Sequence, residues 1–230
     1  GTIGILAIAR TRIPPMQLRL FLFAFVLPMA GCQTAYYSTM EGLGFEKRDI
    51  LVDRVEEARD AQQDAKVQFE SALEQFIAVT DYRGSDLEDQ YRNLKSEYED
   101  SANRANAVRR RIDDVERVAG DLFDEWEAEL DQYSDKNLRR ASADQLRGTQ
   151  TSYRQLMQAM RRAESKIDPV LLAFRDRVLF LKHNLNAQAI ASLKTNRAAV
   201  ESDIQALIRD MNQSIAEADR FVQSMAAPKG

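Results

Sequence analysis

The chain predicts an all-α fold, an elongated antiparallel bundle of about four long helices with coiled-coil-like seams. Three observations carry that expectation. Apolar or small residues recur at alternating spacings of four and three over most of the chain after Gly44, the signature of a helix with a narrow buried seam. Only 9 glycines and 5 prolines punctuate 230 residues, which leaves little material for loops. No strand-like period-two alternation competes with that pattern. A hydrophobic content of 44% suffices for a core, while 30% charged residues supply the solvated faces.

The first seam reads Leu51, Val55, Ala58, Gln62, Ala65, Phe69, Ala72, Phe76 and Val79, and only Gln62 departs from apolar or small character. Ala58, Ala65 and Ala72 would let a neighbouring helix approach closely. The start, KRDILVDRVEEARDAQ, has the charged outer face of such a helix. The pattern stops at Asp81-Tyr82-Arg83-Gly84. Gly84 suits a helix C-terminus, and Ser85 with Glu88 predicts a capping box for the next helix.

A second seam follows through Leu87, Tyr91, Leu94, Tyr98, Ser101, Ala105, Val108, Ile112, Val115, Ala119, Leu122 and Trp126. Asp100 with Arg104 and Asp113 with Arg117 are spaced for exposed i,i+4 ion pairs. Polar residues from Ser134 to Asn137 predict the next turn. The third seam runs Leu156, Met160, Ala163, Ile167, Val170 or Leu171, Phe174, Val178, Leu181 and Leu185. Asp168-Pro169 falls inside it, and because the apolar phase continues through the pair, a kink is expected rather than a break. Asn184 to Asn186 is the following turn. One last helix then carries Ile190, Leu193, Val200, Ile204, Leu207, Met211, Ile215, Ala218 and Phe221.

At 1.5 Å per residue the two middle helices would each be about 70 Å long and the outer two about 50 Å. The middle hairpin is therefore expected to project beyond its neighbours at the end opposite Gly84 and Asn184. Its tip carries Trp126, Tyr133 and the acidic DEWEAELD, facing Lys136, Arg139 and Arg140. Trp126 is expected to fill the seam between the helices.

The region before the bundle reads differently. From Met16 the chain runs MQLRLFLFAFVLPMAGC: a basic Arg19, an apolar run from Leu20 to Val26, then the small pair Ala30-Gly31, the layout of a secretory signal peptide. The run is too short to span a bilayer, which takes about 20 apolar residues. GTIGILAIARTRIPP, upstream of Met16, is read as a start assigned too early, with a long basic leader as the alternative. The segment Leu27-Pro28-Met29-Ala30-Gly31-Cys32 resembles the lipobox of bacterial lipoproteins, with Met29 in place of the usual leucine. That resemblance implies cleavage between Gly31 and Cys32 and a thioether-linked diacylglyceryl group on Cys32. Gln33 in place of aspartate implies the periplasmic face of the outer membrane. The division expected is 1–31 signal peptide, 32–46 lipidated tether, 47–225 helical bundle and 226–230 tail.

The same residues carry a broader likeness. GCQTAYYSTMEGLGFEKRDILVDRVEEARDAQQDA, FESALEQF and LKHNLNAQAIASL resemble an uncharacterised family of bacterial lipoproteins, classed as a domain of unknown function. The resemblance implies a secreted, lipid-attached, long-helix envelope protein and supplies no activity.

Composition and motif searches narrow the chemistry. Net charge is −4, and Arg10, Arg12 and Arg19 are the only charged residues before Cys32, so the remainder is more acidic still. That balance argues against nucleic acid as a partner, since phosphate binding needs a basic footprint. One cysteine excludes an internal disulfide, and one histidine gives a transition metal little to bind. His183 has Phe180 three positions before it, so the Glu-x-x-His of carboxylate-bridged metal bundles is missing; it is expected to serve helix-end carbonyls. No glycine-rich phosphate loop occurs in the body. The expectation is a non-enzymatic protein with no cofactor, no metal and no catalytic residue. It is held to the membrane by covalent lipid at Cys32 and acts as a structural, spacer or interaction module. An envelope protein, peptidoglycan or a second copy of the chain is the expected class of partner. The alternatives are a cytosolic or membrane-remodelling coiled coil that keeps its apolar segment, and a small-molecule carrier.

Overall fold

The computed structural model describes residues 47–226. They form five α-helices and no strand: α1 Lys47–Asp81, α2 Leu87–Glu129, α3 Lys136–His183, α4 Ala187–Thr195 and α5 Arg197–Ala226. A 3-10 turn, Leu130–Gln132, extends α2. The all-α expectation holds, with one helix more than the seams suggested.

Helix α1 packs against α2 and α5, and α3 packs against the same two, so the four long helices sit at the corners of a closed ring. Ion pairs show the directions. Along α1, Asp64 meets Arg104 at 2.9 Å, Glu57 meets Arg111 at 2.8 Å and Lys47 meets Glu125 at 2.8 Å. Positions fall on α1 as they rise on α2, so the pair is antiparallel. Arg59–Asp219 with Lys66–Asn212 between α1 and α5, and Arg109–Asp168 with Asp113–Arg161 between α2 and α3, repeat the relation.

All nine residues of the first seam, Gln62 included, are buried. In the second, Leu94 and Ser101 through Leu122 are buried, whereas Leu87, Tyr91, Tyr98 and Trp126 are only half-buried. In the third, Leu156 through Leu181 are buried, with Val170 and not Leu171 in the core. Each fully buried Leu, Ile or Phe contributes about 1.5–3 kcal/mol of transfer free energy, so the seams are the main source of stability. Phe76 and Phe174 meet across the ring, their centroids 5.9 Å apart.

Helix ends explain the corrections. The cap of α2 is Asp86, whose carboxylate accepts from the Asp89 amide at 3.3 Å, one residue later than the predicted Ser85. Helix α1 ends at Asp81, before Gly84. Gly84 instead makes room for a close approach: a Cβ there would run into the Tyr82 hydroxyl, which accepts from the Asp86 amide at 3.1 Å. Asp135 caps α3 by accepting from the amides of Asn137 and Leu138 at 2.7 and 3.2 Å.

Helix α3 continues through Pro169 without interruption. Pro169 and Ser165, whose carbonyl loses its i+4 partner, are both exposed, so the lost bond falls on the solvated side of the helix. The seam does end early, because Leu185 lies in the turn and is 43% exposed.

The expected last helix is divided at Asn196, whose φ of −98° and ψ of 1° leave the helical region. Its amide reaches back to the Leu193 and Lys194 carbonyls, and its side chain donates to Ser192 O at 3.3 Å. A side chain that bonds the preceding turn competes with helix continuation, and α4 is set off against α1. On α5, Ser214 is buried where Ile215 was expected, and Ile215 is left half-buried.

The predicted in-helix ion pairs are replaced by others. Arg104 pairs with Asp64, Arg117 pairs with Asp114, and Asp113 pairs with Arg161. Three-residue spacing and neighbouring helices offered shorter reaches than the i,i+4 pairs.

Candidate functional site

Gly31 and Cys32, the sequence-predicted processing and lipidation residues, lie outside the described residues. What the structure supplies is the surroundings of Lys47, where the described bundle begins. Lys47 pairs with Glu125, and the Arg48 guanidinium donates to the Met225 carbonyl. The start of α1, the end of α5 and Glu125 of α2 therefore share one level.

Past that level α2 and α3 continue as a two-helix hairpin, as helix lengths predicted. Trp126 Nε1 donates to Ser142 Oγ at 2.8 Å, so the half-buried indole bridges the hairpin and fills its seam. Glu127 accepts from Gln150 at 3.0 Å and Asp131 from Arg139 at 2.6 Å. Residues 131–141 are all exposed, Tyr133 and Leu138 among them. At 1.5 Å per residue the hairpin reaches about 12 Å beyond Glu125.

At the opposite end Asp81 is clamped by Lys194 of α4 at 3.1 Å and Arg197 of α5 at 2.7 Å. Hydrogen bonds from Lys194 and then Arg197 hold its carboxyl below the ordinary carboxylate value. Between α2 and α3, one guanidinium gathers three carboxylates: Arg161 lies 2.8 Å from Asp113 and from Glu164, and also binds Glu116. Burial alone would lower the Arg161 pKa, but the hydrogen bonds to Glu164, Glu116 and Asp113 outweigh it and raise it. Nearby Tyr153 stacks edge-on to Phe123 with centroids 5.3 Å apart. Its phenol is pushed up to about 12, chiefly by burial and then by the charge of Glu116.

These networks align helices. No set of three His, Cys, Asp or Glu side chains among the described residues could hold a metal ion. His183 is exposed at the end of α3; the carbonyls there are served by Asn184, whose side chain donates to Phe180 O at 2.9 Å and whose amide donates to Leu181 O at 3.1 Å. No helix among the described residues is long and apolar enough to cross a membrane. Two surface depressions flank α3. One, of about 500 Å³, lies against α5 and is lined by Gln155, Gln158, Arg162, Gln213 and Arg220. The other, of about 370 Å³, lies against α4 between Phe180 and Leu193.

Sequence reasoning missed Asp81 and Arg161 as interhelical ties. Their signal was positional: Arg161 adjoins seam residue Met160, where flanking charges reach a neighbouring helix.

Together these features define an all-α protein whose helices are held by continuous apolar seams and cross-tied by charged side chains. The chain belongs to the family described as a protein of unknown function, DUF2959, whose model matches residues 36–225. The match takes in the described bundle up to Met225 and begins eleven residues before α1. No curated protein matches the chain.

Proposed function

We propose that the chain is an exported lipoprotein, cut between Gly31 and Cys32 and anchored through lipid on Cys32. Its bundle then acts without catalysis as a spacer or interaction module on the periplasmic face of the outer membrane. The observation that carries this reading is the placement of the single cysteine, directly after an apolar run and the small pair Ala30-Gly31. Covalent lipid contributes about 0.8 kcal/mol per buried methylene, so two or more chains anchor stably where one does not. The bundle supports a mechanical part: its charged side chains are engaged in ties such as Arg161 with three carboxylates and Asp81 with two cations. Ionised groups already matched in this way brace helices and are poor acids or bases.

Labelled fatty acid supplied to cells tests the anchor. Label should appear on the wild-type chain and vanish from Cys32→Ser. Label that persists in the variant sinks the proposal, as does a mature chain whose mass retains residues 16–31.

A further inference from the structure

The apolar seam between α2 and α3 does not stop where the ring of helices stops. On α2, Phe123, Trp126 and Leu130 follow at spacings of three and four, and on α3 Leu138, Ser142 and Leu146 share one face. Phe123 and Leu146 are buried, Trp126 and Leu130 are half-buried, and Tyr133 and Leu138 are 42% and 58% exposed. Coverage explains the gradient. Helix α1 begins at Lys47 and α5 ends at Ala226, both near the level of Glu125. Past that level no other helix among the described residues closes over the hairpin. Tyr133 and Leu138 are thus the uncovered end of a seam, held out at a projecting tip, and that arrangement marks a contact surface.

Two features identify the surface it meets. The first is where the chain enters, and it rests on the lipoprotein reading above. Residues 32–46 span at most about 50 Å and join the bundle at Lys47, so the Lys47 end is the end held close to the membrane. The Asp81 turn lies about 50 Å farther along α1. The second feature is charge. At the tip Glu129, Asp131 and Asp135 are matched in number by Lys136, Arg139 and Arg140, although the chain as a whole is acidic. Asp131 is held by Arg139 at 2.6 Å, and the Asp135 carboxylate accepts the amides of Asn137 and Leu138. Glu129, Lys136 and Arg140 are exposed, so the tip presents no excess of negative charge to lipid phosphates. We propose that the hairpin tip rests in the headgroup layer of the membrane that holds the anchor. Leu138 buries apolar surface there, the amphipathic ring of Tyr133 suits headgroup depth, and Lys136 and Arg140 reach phosphates.

Two apolar side chains are too few to bring a free protein to a bilayer, because adsorption scales with the apolar area buried. The anchor changes the arithmetic. A short flexible linker makes the second contact intramolecular, at an effective concentration in the millimolar range, so a weak contact is populated. Two points of attachment then set the tilt of the bundle, which stands off the membrane where a tether alone would let it swing.

The test uses the chain from Cys32 onward, the form that cleavage leaves, with its lone cysteine coupled to a maleimide-bearing lipid in phosphatidylcholine vesicles. Trp126 is the only tryptophan. Trp126→Phe with Tyr133→Trp therefore moves the one indole to the tip, and Trp126→Phe with Leu185→Trp moves it to the opposite end. Circular dichroism confirms that each variant folds. Lipid with a nitroxide on its headgroup should quench the tip indole about twofold and leave the indole at position 185 unchanged. Adding Leu138→Asp should restore most of the lost fluorescence. A tip indole quenched no more than the one at position 185, or quenching that survives Leu138→Asp, overturns the proposal. A tip indole shielded from aqueous iodide yet untouched by the nitroxide also overturns it, and assigns the seam to protein. The coupling supplies the anchor chemically, so a chain that takes fatty-acid label in cells but is unquenched here loses the tip contact and keeps the lipoprotein reading.

Discussion

Two layers of the same core are built on opposite terms. Near the turn end, Phe76 and Phe174 touch across the ring, with Leu94 and Leu181 also buried and the Asp81 clamp just beyond. Near the middle, α1 presents Ala58, Gln62 and Ala65, and α5 presents Ser214 and Ala218. The pairs Arg59–Asp219 and Lys66–Asn212 place those two stretches opposite each other. Gln62 and Ser214 are both fully buried, and neither the Gln62 amide nor the Ser214 hydroxyl has a hydrogen-bond partner. One heptad pattern thus yields a layer closed by large rings and a layer closed by close backbone approach. The second layer leaves polar atoms stranded, at a cost of about 1–3 kcal/mol for each buried group.

Substitutions at four positions test this contrast, from the largest expected effect to the smallest. Phe76→Ala empties the diagonal contact and should destabilise the bundle by about 3–5 kcal/mol in urea unfolding. A loss under 1 kcal/mol would mean that the aromatic layer is not closed as described. Gln62→Met keeps the length of the side chain and removes its stranded atoms, so the sign reverses and the bundle should gain about 1–2 kcal/mol. Destabilisation instead would show that the amide is satisfied in solution.

Asp86→Ala removes the α2 cap and should cost about 1 kcal/mol, with Asp86→Asn nearly silent; equal losses in both would point to charge rather than capping. The smallest effect is acid loosening at Asp81. Its folded pKa lies below the ordinary carboxylate value, so its stabilisation is present above that ordinary value and is lost as pH falls through the lower folded one. Melting temperature should therefore drop slightly less between pH 5 and about pH 2.5 in Asp81→Asn than in wild type. Parallel curves would remove the clamp from the account of this end.

The seams were legible because burial on a long helix repeats with a period that survives in one dimension. Leu51 through Val79 could be read off before any neighbour was known. What failed depended on a neighbour or on local competition. The alternating spacing makes a seam residue due at position 197, between Leu193 and Val200, and Arg197 stands there, so the division of the last helix at the adjacent Asn196 did leave a polar gap in the pattern. Ser214 displaced Ile215 because the middle layer selects for smallness, and hydrophobicity alone selects for the larger side chain. Arg104 could be given a partner on its own helix, but the choice of Asp64 depends on the register between two helices, which no single helix encodes. For the proposed processing residues the position is inverted: the expectation for Gly31 and Cys32 comes from the sequence alone, and both lie outside the described residues.

The meeting of Lys47, Arg48, Glu125 and Met225 at one level has a mechanical consequence. Helices α1 and α5 are neighbours running in opposite directions, so tension applied between residue 47 and residue 225 acts across their seam at a single point. It would peel one helix from the other turn by turn, starting with the Arg48–Met225 contact, and would not shear the whole length at once. Pulled between these two positions the domain is a zipper with its slider at this end, and it should open at low force. Pulled instead between the hairpin tip and the Asp81 turn, the same helices are loaded along their length and should resist far more.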